Sequence, residues 1–243
     1  MYKNFFLIGM CLFLCNSFNL NRNWLNNIHV QKNSLEKINH IQNKKKKAII
    51  FFTGGSSFIS HRIYSNFQYN INLYNNSIYI PFYNFKHPNK LINYLDKHYD
   101  SITVVGHSSG CSTGIRFCKD NPKINKLVLL DPVDTFFDTD RIILPYINNI
   151  LIINAGKSYK INTEPFGLPF IPIFSLKKKK LKLTNNCKVI KLVNNSYGHA
   201  DILDYIYSNF MHFTRISVGF TLRNKRNINS YHKWLAYNIC NLS

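Results

Sequence analysis

A serine with a glycine two residues before it and another two residues after it lies directly after an apolar run. Residues 106–110 read G-H-S-S-G, and residues 102–105 read I-T-V-V, which predicts a buried strand before the serine. Glycines at this spacing let the main chain pack closely around a sharp turn that exposes the hydroxyl of Ser108. A helix predicted over 109–119 begins behind it and points main-chain N–H groups at any oxyanion formed there. The chemistry that this arrangement favours is nucleophilic attack on an acyl carbonyl.

A serine nucleophile needs a base to take its proton and a carboxylate to orient that base. Residues 126–130 read K-L-V-L-L and end at Asp131, and residues 189–193 read V-I-K-L-V and run into the loop that holds His199. Ser108, Asp131 and His199 therefore each follow a predicted strand. An open parallel sheet places its site at the carboxyl ends of the strands, so we expect these side chains to meet there.

The chain has nine histidines, and His199 is the one that follows a strand late in the chain, in a loop next to a glycine. The side chain of His107 is expected to point away from Ser108 and to serve in packing. Polar surroundings predict surface positions for most of the others, namely His40, His61, His87, His98, His212 and His232.

The acid has two candidates. Four of the 11 acidic residues cluster after the strand at 126–130, at Asp131, Asp134, Asp138 and Asp140. Asp131 lies at the tip of the strand, where its position is best fixed. The other three are interpreted as turn and helix-start residues. Glu164 follows the next strand, predicted over 150–154, and is the alternative.

An oxyanion hole requires two main-chain donors. The residue after the nucleophile, Ser109, supplies one. The first strong strand, residues 48–52, runs into T-G-G-S-S, where glycines allow close approach of a substrate carbonyl. The N–H of Gly55 is the predicted second donor, and a plain strand-to-helix turn is the alternative interpretation.

Strands and helices alternate along residues 48–243, and the strands are nearly continuous apolar runs. This pattern predicts one α/β domain with a mostly parallel sheet of about six strands and helices on both faces. A short helix is expected over 136–147 and a long loop over 155–187.

Three segments together resemble chlorophyllase and its α/β-hydrolase relatives: G-H-S at 106–108, L-D-P-V-D at 130–134 and Y-G-H-A-D-I-L-D at 197–204. The resemblance covers roughly residues 47–240. It implies an α/β-hydrolase fold, reduced at its amino-terminal edge because the two usual leading strands are missing, with Ser108, Asp131 and His199 as the triad. The chain departs from the family at Ser109, where Arg is usual, and in the loop after Asn154.

The amino terminus has the pattern of a leader. Lys3 precedes an apolar run that is too short to span a membrane, which predicts a signal peptide over 1–17. Residues 18–47 are basic and rich in Asn. A two-part leader of this kind indicates a secondary plastid, and the alternative is secretion, or retention in the endomembrane lumen, with a basic linker.

Net charge limits the classes of partner. The first 47 residues carry eight Lys or Arg and one Glu, so +7 of the net +20 lies there and +13 remains. No zinc-finger, RNA-binding or P-loop pattern accompanies this charge, which disfavours nucleic acid. Residues 166–174 are apolar and Pro-rich and precede four lysines at 177–180, so the segment 166–180 is a candidate for peripheral membrane contact, with a packed loop as the alternative.

Cysteines and acidic residues do not form a metal-binding pattern. Cys111, Cys118, Cys187 and Cys240 are scattered, and the first two lie two helical turns apart, which suits core packing. The sequence thus favours a serine hydrolase that cleaves carboxylic esters. The expected substrate is a lipophilic ester, either a small molecule or a lipid, and no cofactor is expected. The alternatives are a non-catalytic α/β-hydrolase-fold module that binds lipid, and a thioesterase or peptidase of the same mechanism.

Overall fold

A computed structural model describes residues 47–54, 59–74, 77–82, 88–132, 142–157, 181–183, 186–213 and 223–242. The predicted signal peptide, the leader up to residue 46, Gly55, Glu164 and the segment 166–180 lie outside these residues. Asp134, Asp138 and Asp140 lie outside them as well.

The described strands form a six-stranded sheet and a separate pair. Their bounds are β1 (Lys47–Phe52), β2 (Ser77–Pro81), β3 (Ser101–His107), β4 (Lys126–Leu130), β5 (Ile142–Leu144), β6 (Asn149–Ala155), β7 (Leu181–Leu183) and β8 (Lys188–Asn194). The sheet order is β2-β1-β3-β4-β6-β8, and β5 pairs with β7. Every pairing among these strands is parallel. The strand ends at β3, β4 and β8 therefore point to the same edge of the sheet.

Helices cover both faces of the sheet. They are α1 (Ser65–Leu73), α2 (Pro88–His98), α3 (Gly110–Lys119), α4 (Tyr205–Phe213) and α5 (Lys225–Leu242), with 3₁₀ turns at His61–Tyr64 and His199–Ile202. Side chains alternate across a strand, so Ile49 and Phe51 of β1 pack with α1 and α5, while Ile50 and Phe52 pack with α2 and α3. Burial on both faces explains why the central strands β1, β3 and β4 are nearly continuous apolar runs. The predicted α/β-hydrolase architecture is confirmed.

Two local predictions are wrong. The short helix expected over 136–147 is contradicted at residues 142–144, which form β5, and the long loop expected over 155–187 contains β7 at 181–183. An I-I-L run pairs with L-K-L here, and a three-residue strand is too short to show a period in the sequence. Among the described helices, none is long and apolar enough to cross a membrane.

Candidate active site

Ser108 occupies the sharp turn between β3 and α3. An ideal Cβ built on Gly106 would lie 2.6 Å from the Cα of Cys111, and one built on Gly110 would overlap the main-chain oxygen of Thr53 at the end of β1. Because main-chain atoms cannot move aside as a flexible side chain can, both positions require glycine. The two glycines of the motif therefore let β1, β3 and α3 close around the serine.

Two residues of the site have an unusual main chain. Ser108 has φ 55° and Asp131 has φ 44°, and they are the non-glycine residues with positive φ in the described part of the chain. The left-handed region costs an L-residue with a Cβ about 1–2 kcal/mol. Such residues persist where the surrounding structure holds them, and they concentrate at functional sites.

The three predicted side chains come together at the edge of the sheet. His199 Nδ1 lies 2.5 Å from Asp131 Oδ2, and His199 Nε2 lies 2.9 Å from Ser108 Oγ. A carboxylate only accepts hydrogen bonds, so Nδ1 carries the hydrogen, and Nε2 of the neutral ring accepts from the serine hydroxyl. Ser108 and His199 are both 8% exposed. This order of donors and acceptors suits transfer of the serine proton to the imidazole.

Asp131 follows β4 but is fixed by the neighbouring strand β6. Its N–H donates to the carbonyl of Ile153 at 2.7 Å, and its Oδ1 accepts from the N–H of Ala155 at 3.2 Å. One carboxylate oxygen thus meets the main chain of β6 and the other meets His199. Of the two acid candidates, Asp131 contacts the histidine, while Glu164 lies outside the described residues.

The loop that carries His199 is held by a buried ion pair. Asp201 Oδ2 accepts from the N–H of Gly198 at 2.7 Å and from Arg223 Nε at 3.1 Å, and Arg223 Nη2 donates to the carbonyl of Ser196 at 2.6 Å. The main chain just before His199 is therefore tied to a carboxylate–guanidinium pair whose carboxylate belongs to the residue two positions after His199. Sequence reasoning used Asp201 for the family resemblance alone. The sequence did hold a signal for this role. The chain has only 11 acidic residues, and two of them lie within five residues of His199.

Asp204, the second of these acids, joins the same loop to α1. Its Oδ1 accepts from the N–H of Asn66 at 2.9 Å, and its Oδ2 accepts from the N–H of Ser65 at 3.2 Å. These N–H groups belong to the first turn of α1, where helical partners are absent and a negative charge is favourable. Asp204 is thus a capping residue contributed from a distant part of the chain.

The turn after β1 lies against the serine, as the predicted oxyanion hole requires. An ideal Cβ on Gly54 would lie 3.4 Å from the Cβ of Ser108, an ordinary van der Waals distance, so this turn packs directly beside the serine. Gly55, the predicted second donor, follows Gly54 directly and lies outside the described residues. Ser109, the predicted first donor, is the N-cap residue of α3 and directly precedes the first residue of the helix.

Three histidines other than His199 are buried, which corrects the surface positions predicted for His61 and His232. Each donates from Nε2 to a main-chain oxygen at 3.1 Å, and Nδ1 accepts from a polar side chain. The pairs are His61 with Phe82 O and Tyr79 Oη, His107 with His199 O and Tyr64 Oη, and His232 with Asp201 O and Asn66 Nδ2.

Burial keeps these three rings neutral. It lowers the pKa of His61 to about 4, that of His107 to about 3 and that of His232 to about 4. For His107 the positive charge that His199 can carry lowers the pKa further. His107 is buried, as the expected packing role requires. In addition, its Nε2 donates a hydrogen bond to the carbonyl oxygen of His199.

The cysteines behave as core residues. Cys111 and Cys118 are buried in the core beneath α3, as their spacing predicts, and burial raises the pKa of both thiols. Within the described residues, no group of three or more His, Cys, Asp or Glu side chains is arranged to hold a metal ion.

Comparison with known proteins finds likeness among solved structures. No protein-family model matches the chain, and no curated protein matches it. Among the solved structures, the esterase domain of a Rhodothermus marinus protein matches at 8% sequence identity, over 81% of this chain and 88% of that one, with a TM-score of 0.42. The function of the site therefore has to be inferred from its own geometry.

Proposed function

We propose that the chain is a serine hydrolase that cleaves carboxylic esters through an acyl-enzyme. The observation that carries the proposal is the continuous contact from Ser108 Oγ to His199 Nε2 and from His199 Nδ1 to Asp131 Oδ2. The strained main chain at Ser108 and Asp131 adds weight, because folding alone gives no reason to hold a side chain at such a φ.

In the acylation step Ser108 Oγ attacks the acyl carbon and its proton passes to His199 Nε2. Asp131 keeps Nδ1–H directed at its carboxylate and stabilises the imidazolium that forms. The carbonyl π electrons move to oxygen, and the N–H groups of Ser109 and Gly55 are the proposed donors to that oxyanion.

Collapse of the tetrahedral intermediate breaks the bond to the leaving alkoxide, which takes the proton from His199 Nε2. Water then enters, gives a proton to the same nitrogen and attacks the acyl-enzyme. Ser108 leaves with that proton, and the carboxylic acid is released. The histidine is neutral again at the end, so the cycle needs no cofactor.

We also propose that the ester is lipophilic and is met at a membrane. Support comes from the segment 166–180, which joins an apolar run to four lysines between two strands of the sheet. Apolar side chains enter the headgroup boundary of a bilayer, and lysines add attraction to anionic lipid. Within this proposal the segment meets the membrane near the mouth of the site.

Covalent labelling tests the hydrolase assignment. A fluorophosphonate probe is expected to label the wild-type protein, with the adduct on Ser108 and none on Ser109 when peptides are mapped by mass spectrometry. Ser108→Ala is expected to abolish labelling and to lower kcat for a p-nitrophenyl ester by about 10⁴ or more.

Ser112→Ala is the matched control for this experiment. Ser112 is buried one turn further along α3, and its hydroxyl makes no hydrogen bond within the described part of the chain. It is expected to label as wild type. Labelling that survives Ser108→Ala would overturn the assignment of Ser108 as the nucleophile. A wild-type protein that neither labels nor hydrolyses esters would favour the non-catalytic module.

A further inference from the structure

A chain of hydrogen bonds behind the site joins the turn after β1 to the main chain of His199. The N–H of Gly54 donates to Tyr64 Oη at 3.1 Å, Tyr64 Oη lies 2.9 Å from His107 Nδ1, and His107 Nε2 lies 3.1 Å from the carbonyl oxygen of His199. Tyr64 is completely buried, and His107 is 4% exposed. These three hydrogen bonds thus connect Gly54, the residue before Gly55, with His199, the candidate base.

The direction of each bond in this chain is fixed by its ends. A carbonyl oxygen only accepts, so His107 Nε2 must carry a hydrogen. The ring is neutral, so Nδ1 accepts and the hydroxyl of Tyr64 donates to it. The same hydroxyl accepts from the N–H of Gly54. Removing the tyrosine hydroxyl would leave a buried donor and a buried acceptor without their partners.

Neutrality of His107 also has an electrostatic role. The ring centroids of His107 and His199 are 4.9 Å apart with 33° between the planes, so any charge on one ring lies close to the other. The titratable groups around His107 are Tyr64 on one side and His199 and Asp131 on the other. A protonated His107 would oppose the imidazolium that His199 forms during the proposed reaction. Burial avoids that repulsion.

We infer that Tyr64 and His107 are positioning residues that set the place and orientation of His199 relative to the turn after β1. This inference rests on the proposed function for its kinetic consequence. Neither residue touches the reacting atoms, since the contact with His199 is to its carbonyl oxygen and the face of its ring. Their effect is on the distance between the base and Ser108.

A second tyrosine–histidine pair supplies the matched control. Tyr79 Oη lies 2.9 Å from His61 Nδ1, and His61 Nε2 donates to the carbonyl of Phe82 at 3.1 Å. The pair repeats the contacts of Tyr64 and His107 and ends on the residue after β2 instead of on His199. Tyr79→Phe therefore removes an equivalent buried hydroxyl without disturbing the base.

Steady-state kinetics on a soluble p-nitrophenyl ester give the first test. Tyr64→Phe is expected to lower kcat about tenfold with KM within twofold of wild type, because small misplacement of a catalytic group lowers the rate steeply. Tyr79→Phe is expected to keep kcat within twofold at a temperature where both variants remain folded by circular dichroism. His107→Gln, which retains an N–H donor for the carbonyl, is expected to keep more of kcat than His107→Leu.

Nitrogen-15 NMR of histidine-labelled protein gives a test that does not depend on turnover. His107 is expected as the Nε2–H tautomer from pH 8 to pH 5.5, and Tyr64→Phe is expected to shift it toward a mixture. The Nδ1–H proton of His199 is expected to broaden through faster exchange in Tyr64→Phe and to stay unchanged in Tyr79→Phe.

The outcomes separate the two proposals. His199 signals that are the same in Tyr64→Phe and wild type would overturn the positioning role, whether or not the protein hydrolyses esters. An unaltered kcat in an active Tyr64→Phe enzyme would overturn it as well. Absence of ester hydrolysis by the wild type, with the expected NMR changes, would reject the proposed function and retain the positioning of His199.

Discussion

Acidification to pH 5 should destabilise this fold through its three buried neutral histidines. Burial lowers the pKa of His61 and His232 to about 4 and that of His107 to about 3, whereas an unfolded chain holds histidine near about 6.5. Protonation is therefore easier in the unfolded chain. The stabilising difference is fully present above the unfolded pKa and is lost as the pH falls toward the folded values.

The size of the effect follows from proton uptake on unfolding. Between about pH 6 and pH 5 the unfolded chain binds roughly two to three more protons at these histidines than the folded one. Each proton changes the free energy of unfolding by about 1.4 kcal/mol per pH unit. Passing from pH 7 to pH 5 should thus remove about 5 kcal/mol, which is comparable with the whole stability of a typical domain, about 5–15 kcal/mol.

Urea unfolding followed by far-ultraviolet circular dichroism at pH 7, 6 and 5 measures this loss. His232→Gln is the informative variant, because its side-chain amide can still donate to the carbonyl of Asp201 but does not titrate. It should reduce the slope of stability against pH by about one third. Equal free energies of unfolding at pH 7 and pH 5, or an unchanged slope in His232→Gln, would refute the reasoning.

Three further predictions concern the site and its surroundings. Asp131→Asn should lower kcat by about 10⁴, because asparagine favours the wrong tautomer of His199. Glu164→Gln should change ester turnover little. The reverse result would assign the acid to Glu164. Gly110→Ala should lower the thermal midpoint sharply, because the added Cβ meets main-chain atoms, while Gly114→Ala, whose Cβ would meet a side chain at 3.2 Å, should be milder. Replacing the lysines at 177–180 with glutamine should weaken binding to anionic vesicles, measured by sedimentation, by about 1 kcal/mol per lysine. Turnover of a soluble ester should not change. Vesicle binding equal to that of the wild type would argue for a packed loop.

The sequence was sufficient to predict the six-stranded sheet and the meeting of Ser108, Asp131 and His199. Strands buried on both faces are long apolar runs, and in a parallel sheet each strand end has a known edge. A residue that directly follows a strand in the sequence therefore lies at that edge of the sheet. The same logic fails for β5 and β7, because strands of three residues show no pattern.

Burial of His61 and His232 was not predicted from the sequence. Whether such a residue lies inside depends on donors and acceptors contributed by distant segments, as with His232 and Asn66, which are 166 residues apart. The pairing of Asp201 with Arg223 is another contact of this kind, across 22 residues. Local polarity suggests surface positions for the two histidines, and only the tertiary fold supplies their partners.

The positive φ at Ser108 and Asp131 has a meaning beyond catalysis. Glycine adopts this conformation without the steric penalty, so substitution by glycine would relieve main-chain strain at both positions even as it removed the hydroxyl and the carboxylate. A chain shaped by folding stability alone would tend toward glycine at these two turns. The main-chain strain at Ser108 and Asp131 therefore lowers the stability of the fold at the two positions whose side chains both contact His199.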